Sequence, residues 1–139
     1  MEDKNLLEKK IEKIEARQLL ITRDELLQKV ERIHDINFIG EIIEVNNPES
    51  LKKLSIDLKS KLENYILVLT SIIDGKAFVV IGIDESVSNS KNLDATKLIK
   101  ELVAPLIKGG GGGQKTLASA GGQDISQLDK VIRAVRQII

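Results

Sequence analysis

YILVLTSIIDGKAFVVIGI, residues 65–83, decides the fold class, because two runs of β-formers meet there at Asp74-Gly75. Asp-Gly between apolar runs signals a two-residue hairpin, since both turn positions must accept positive φ. Toward the N-terminus, Asn47-Pro48 marks a helix start, with Asn as cap and Pro at the first helical position. Leu51, Leu54, Leu58 and Leu62 then recur at three- and four-residue spacings and form one apolar face. Ile36 to Val45 is β-rich, and its alternation slips across Ile42-Ile43. That slip fits a strand buried on both faces or bulged near Gly40.

Toward the C-terminus, the polar residues 84–92 read as a surface loop. Asp94 caps a helix carrying Leu98, Leu102 and Leu106 beside Ile99, Val103 and Ile107, and Pro105 bends or shortens its end. Five glycines follow, Gly109 to Gly113, then Gln114 to Ala120 and the pair Gly121-Gly122. A last helix starts near Asp124 or Ser126 and buries Leu128, Val131, Ile132, Val135 and Ile138 or Ile139. From Ile36 the order is β-α-β-β-α-Gly loop-α. This is the α/β class, an open mixed sheet flanked by helices, with the strand–helix–strand unit crossing over right-handed.

Residues 1–33 contain neither Gly nor Pro. Leu7, Ile11, Ile14 and Ile21 fall at heptad-like spacings with Gln18 in the seam, while Leu26 or Leu27, Val30 and Ile33 follow a shifted phase. Thr22-Arg23-Asp24-Glu25 reads as a capping box, so two helices with a break near 19–23 are expected. Such stripes need a partner, either the neighbouring helix in a hairpin or a second chain in a coiled coil. The chain thus divides into a helical lead-in and dimerisation segment, 1–34, and a globular domain, 35–139.

Composition removes many functions. Among 139 residues there is no cysteine and one histidine, which excludes disulfides, thiolate chemistry and histidine metal clusters. Three aromatics (Phe38, Tyr65, Phe78) are too few for a base-stacking platform, and recognition of a folded, duplex-like shape is expected instead. No apolar run approaches the ~20 residues of a membrane span, and the polar, acidic N-terminus is unlike a signal peptide. The balance is that of a soluble intracellular domain with 42% hydrophobic and 30% charged residues. Its zero net charge is uneven: residues 34–90 carry 5 basic and 9 acidic side chains, and residues 91–139 carry 8 and 4.

The glycine run is either a flexible linker or a backbone surface packed closely against another backbone or a ligand. Its place between two apolar helices, followed by the further glycine pair Gly121-Gly122 with small Ala118, Ser119 and Ala120 leading into it, favours the close approach. It is neither a P-loop nor a dinucleotide fingerprint, since no strand precedes it. Lys108, Lys115, Lys130, Arg133 and Arg136 surround it in sequence, as a solvated helix face or as a phosphate-contacting surface. Asp74 and Asp84-Glu85 suit turns and loops, and His34 suits a helix terminus. No nucleophile, acid–base pair or metal set stands out.

KGGGGGQKTLASAGG, residues 108–122, resembles the C-terminal, DHH-associated domain of alanyl-tRNA synthetases, which ends in a glycine run, Ala-x-Ala-Gly-Gly and a terminal helix. The helix LKKLSIDLKSKL, residues 51–62, the Asp-Gly hairpin and the charged helical lead-in are similar as well. Where that family usually shows Arg-Pro-Asp-Met, Gln114-Lys115-Thr116-Leu117 stand here. Related phosphoesterases place Gly-Gly-His before Ala-Ala-Gly, and no such histidine occurs. The resemblance implies a non-catalytic cytoplasmic module of an alanine–tRNA ligase that holds alanine-accepting tRNA at its outer corner, links aminoacylation to editing and supports a homodimer. ATP and zinc would belong to upstream domains, not to this segment. On the tRNA-binding reading, the glycines and the cations around them in the sequence are the expected nucleic-acid contacts: Lys108, Gly109, Gly110, Gly111, Gly112, Gly113, Lys115, Gly121, Gly122, Lys130, Arg133 and Arg136. The rival readings are a pure oligomerisation domain and an accessory substrate-binding domain of a DHH-family phosphoesterase.

Overall fold

Asp74 and Gly75 take φ of 52° and 75°, the turn that joins β3 (Tyr65–Ile73) to β4 (Lys76–Ile83). The computed structural model describes residues 17–45 and 47–139. A second two-residue turn, His34 (φ 49°) and Asp35 (φ 67°), joins β1 (Glu31–Ile33) to β2 (Ile36–Ile42). His34 therefore sits in a strand hairpin rather than at a helix end. The six strands run β1-β2-β3-β4-β6-β5, where β5 is Gly109–Gly113 and β6 is Leu117–Gly122. Only β2 and β3 are parallel, paired Phe38↔Ile66 and Gly40↔Val68, so the sheet is mixed as expected.

Helix α2 (Pro48–Lys59) links the two parallel strands and begins as the sequence predicts. Asn47 Oδ1 accepts the Ser50 N–H at 2.8 Å, with Pro48 in the first turn. Its Leu51, Leu54 and Leu58 are fully buried against Ile39, Leu67, Leu69 and Val80. Each such leucine contributes about 1.5–3 kcal/mol by leaving water. Leu26, from the helix α1 over residues 17–28, completes this face. The opposite face carries Phe38, Ile66, Val68, Val79, Ile81, Ala118 and Ala120. It is covered by α3 (Glu85–Lys91), by the rod Ala95–Ile107 and by α6 (Leu128–Gln137) through Leu128, Val131 and Val135. The result is a sheet between two helical layers.

Four expectations change. The helix 17–28 is continuous, so no break occurs at 19–23 among the described residues; a helix already running bonds the backbone N–H groups that a Thr22 cap would have served. The heptad positions Leu7, Ile11 and Ile14 lie outside the described residues. Residues 31–33 are a strand because pairing to β2 satisfies their backbone groups. The polar 84–92 stretch is helical over Glu85–Lys91 and stops at Asn92 in the left-handed conformation. The glycine run is the edge strand β5, not a loop. The rod before it comprises α4 (Ala95–Leu98), a π turn (Ile99–Val103) and α5 (Ala104–Ile107). Pro105 lacks an N–H and crowds the carbonyl four residues back, and the turn ahead of it is widened, with Ala104 N–H bonding Ile99 O.

Candidate nucleic-acid interface

Lys108 ends α5 in the left-handed conformation (φ 53°), swinging the chain straight into the glycine strand. The pairing then runs Gly109↔Gly122, Gly110↔Gly121, Gly111↔Ala120, Gly112↔Ser119 and Gly113↔Ala118. An added Cβ at Gly109 would strike the Gly121 carbonyl, at Gly111 that of Ser119, and at Gly113 that of Leu117, all well inside 3 Å. At Gly110 and Gly112 it would meet nothing within 4 Å. Alternate glycines thus serve different ends: three permit the close strand approach, and two leave the outer surface bare.

That bare surface lies on the α2 side of the sheet. Across it runs one cross-strand row, Phe78, Gly121 and Gly110, and beside it a second, Val80, Ser119 and Gly112. The first turn of α2 (Pro48, Leu51, Lys52) forms a wall, and between wall and terrace is a cavity of about 290 Å³. Phe78 also borders a second cavity of about 340 Å³, lined by Lys76, Lys108, Gly109, Gly121, Gly122 and Gln123. A trough floored by peptide groups is therefore rimmed by Lys52, Lys76 and Lys108, all exposed. Among the described residues the ion pairs are Arg23–Asp24, Arg32–Asp35 and Arg136–Glu31, so none of these lysines is paired.

The sequence-named cations do not share one patch. Lys108 and Lys130 both act on Asp124, whose carboxyl is held below its usual range first by hydrogen bonds from Ser126 and then by those positive charges. Lys115 lies beyond the other end of β5, where its carbonyl accepts the Ala95 N–H. Arg133 and Arg136 line a hollow with Gly40, Glu41 and Ile42 over β2. Arg136 bonds Glu31 at 2.8 Å and lies 5.4 Å from the Phe38 ring centre, so it ties α6 to β1 and β2. Gly121 and Gly122 stand beside the glycine strand, with Gly122 close against Ile107. Lys52, Lys76 and Phe78 were missed, and the alternation of β4 that places Phe78 opposite Val79 was the available signal.

Residues 35–139, which hold all but the first strand of this sheet together with the glycine edge strand and the terminal helix, match the DHHA1 domain family. The chain belongs to the DHHA1 domain family. This DHHA1 chain is 32% identical over 139 residues to an alanine–tRNA ligase of Cytophaga hutchinsonii, covering 100% of the chain and 16% of that protein. It is 38% identical over 111 residues to that of Lactobacillus acidophilus, covering 80% and 12%. The chain thus spans less than a fifth of these relatives. The C-Ala domain of Aquifex aeolicus alanyl-tRNA synthetase superposes with a TM-score of 0.70 at 26% identity, covering 78% of this chain and 96% of that domain. A pGpG-specific phosphodiesterase from Vibrio shares the fold at 15% identity and TM-score 0.50, over 88% of this chain and 39% of that one. The expected likeness to the C-terminal domain of alanyl-tRNA synthetase is met. No described helix is long and apolar enough to cross a membrane.

Proposed function

We propose that this DHHA1 domain is the tRNA-holding module of an alanine–tRNA ligase, with no chemistry of its own. The observation that carries this reading is the glycine-floored trough rimmed by the unpaired Lys52, Lys76 and Lys108. Bare peptide surface admits a bulky ligand to van der Waals distance, and unpaired lysines at its border suit phosphates on either side. Lys115, beyond the far end of β5, and Lys130 and Arg133, on α6 over the opposite face of the sheet, lie outside the trough and serve as separate, secondary phosphate contacts. The module grips the outer corner of folded, alanine-accepting tRNA in the cytoplasm and so keeps one tRNA in reach of upstream aminoacylation and editing domains. Linkage to those domains raises the effective concentration of the tRNA, so the isolated module binds weakly.

A salt titration of tRNA binding to the chain tests this. Log affinity should fall linearly with log salt, and Lys76→Gln should lower the slope by about 1. Absence of binding at low salt, or a salt-independent affinity, overturns the reading.

Pairing of two chains is the second reading, and the exposure of Leu20 (46%) and Ile21 (51%) on α1 favours it. If α1 mediates a homodimer, sedimentation should give a dimer for the wild type and a monomer for Leu20→Glu/Ile21→Glu. A wild-type monomer at high concentration removes α1 as a dimer interface. A dimer that ignores RNA makes oligomerisation the whole function.

A further inference from the structure

Of the three aromatic side chains, Phe38 and Tyr65 are buried, at 0% and 3% exposure, and Phe78 alone reaches the surface. It does so at a particular place. The ring leans over Gly121, where an added Cβ would stand 3.2 Å from Phe78 Cε1, and it borders both cavities of the trough. Outward from it, Gly121 and Gly110 expose peptide planes with nothing above Gly110. Lys76 and Lys108 stand on one side of the ring, and Lys52 lies across the other cavity. Aromatic ring, flat backbone and flanking ammonium groups are the elements that a nucleobase and its two neighbouring phosphates require.

We infer that Phe78 is a stacking platform for an exposed nucleobase face, extended by the peptide planes of Gly121 and Gly110, with Lys76 and Lys108 taking the adjoining phosphate. This rests on the RNA-binding reading above and replaces pure shape recognition with one stacked base. Every base has a π-face, so the contact adds affinity with little sequence preference. The base is either the end of a stack in folded RNA or an unpaired base in a flexible strand.

The chain has no tryptophan, so Phe78→Trp provides a single indole at this site. Titration with tRNA should quench the F78W fluorescence to saturation, whereas heparin, a polyanion without bases, should bind without quenching. Phe78→Leu, which keeps an apolar side chain over Gly121, should weaken tRNA binding about tenfold with its salt slope unchanged. Its melting temperature reports whether the fold survives, and F78W covers the case in which it does not. Oligoadenylate in place of tRNA identifies the source: equal quenching assigns an unpaired base, and quenching by tRNA alone assigns the end of a stack. Wild-type affinity in F78L together with an unquenched F78W at saturating tRNA overturns the stacking role and leaves the RNA-binding reading intact. Failure of the wild type to bind tRNA at low salt overturns both.

Discussion

At the scale of single residues, Tyr65 shows how burial sets chemistry. Burial first, and the nearby Asp84 carboxylate second, push its phenol up from 10 to about 12. Asp84 is itself fixed by accepting the Asn64 N–H at 2.6 Å. Between pH 10 and 12 the unfolded chain has released a proton that the folded chain retains. The unfolded state then binds fewer protons, so stability falls as pH rises through this window. A phenolate absorbance titration should place the midpoint near 12 for the native protein and near 10 in denaturant. A native midpoint at 10 would show that the hydroxyl meets water freely. Arg136 carries the opposite lesson: a cation that sequence proximity assigns to the glycine run instead bridges Glu31 and Phe38.

At the scale of elements, the glycine strand separates folding from binding within five identical residues. Gly111→Ala drives a methyl into the Ser119 carbonyl and should destabilise by about 1–3 kcal/mol or more. Gly112→Ala points into open space and should stabilise by about 0.4–1 kcal/mol through the unfolded chain, while its methyl raises the trough floor and weakens RNA binding. Denaturant unfolding and tRNA titration of the two variants read these effects independently, and identical behaviour would refute the alternation. The hairpin at Asp74-Gly75 and the Asn47-Pro48 helix start were legible because each depends on neighbours a few residues apart. The strand Gly109–Gly113 was not. Glycine is depleted in strands, and a period of two is invisible when every residue lacks a side chain. The helix at Glu85–Lys91 was hidden by loop-like Ser and Asn.

At the scale of the whole molecule, the two helical layers leave the β5–β6 end of one face uncovered, and that gap is the trough. Its rim draws Lys52 and Lys76 from the acidic half of the sequence and Lys108 from the basic half, so counting charge along the chain conceals it. The rows that join Phe78 to Gly121 and Gly110 connect residues more than 30 positions apart. The alternation along β4 gives the face of Phe78, but only the sheet order brings it beside Gly121 and Gly110. Titrations of both halves of the rim, Lys52→Gln and Lys108→Gln, should each reduce the salt slope by about 1. A slope altered by Lys108→Gln alone would restrict the contact to one cavity.

A strand made of one repeated residue cannot tell one register from the next. In an ordinary strand a slip by one position turns the apolar set to the wrong side, and that penalty holds the alignment. Here the penalty vanishes, and the ends must supply it: the left-handed Lys108 on one side, the Gln114 N–H to Leu117 carbonyl bond on the other. The number of glycines between these anchors consequently acts as a spacer length. It sets how far apart Lys108 and Lys115 stand along the edge, with no change in side-chain chemistry.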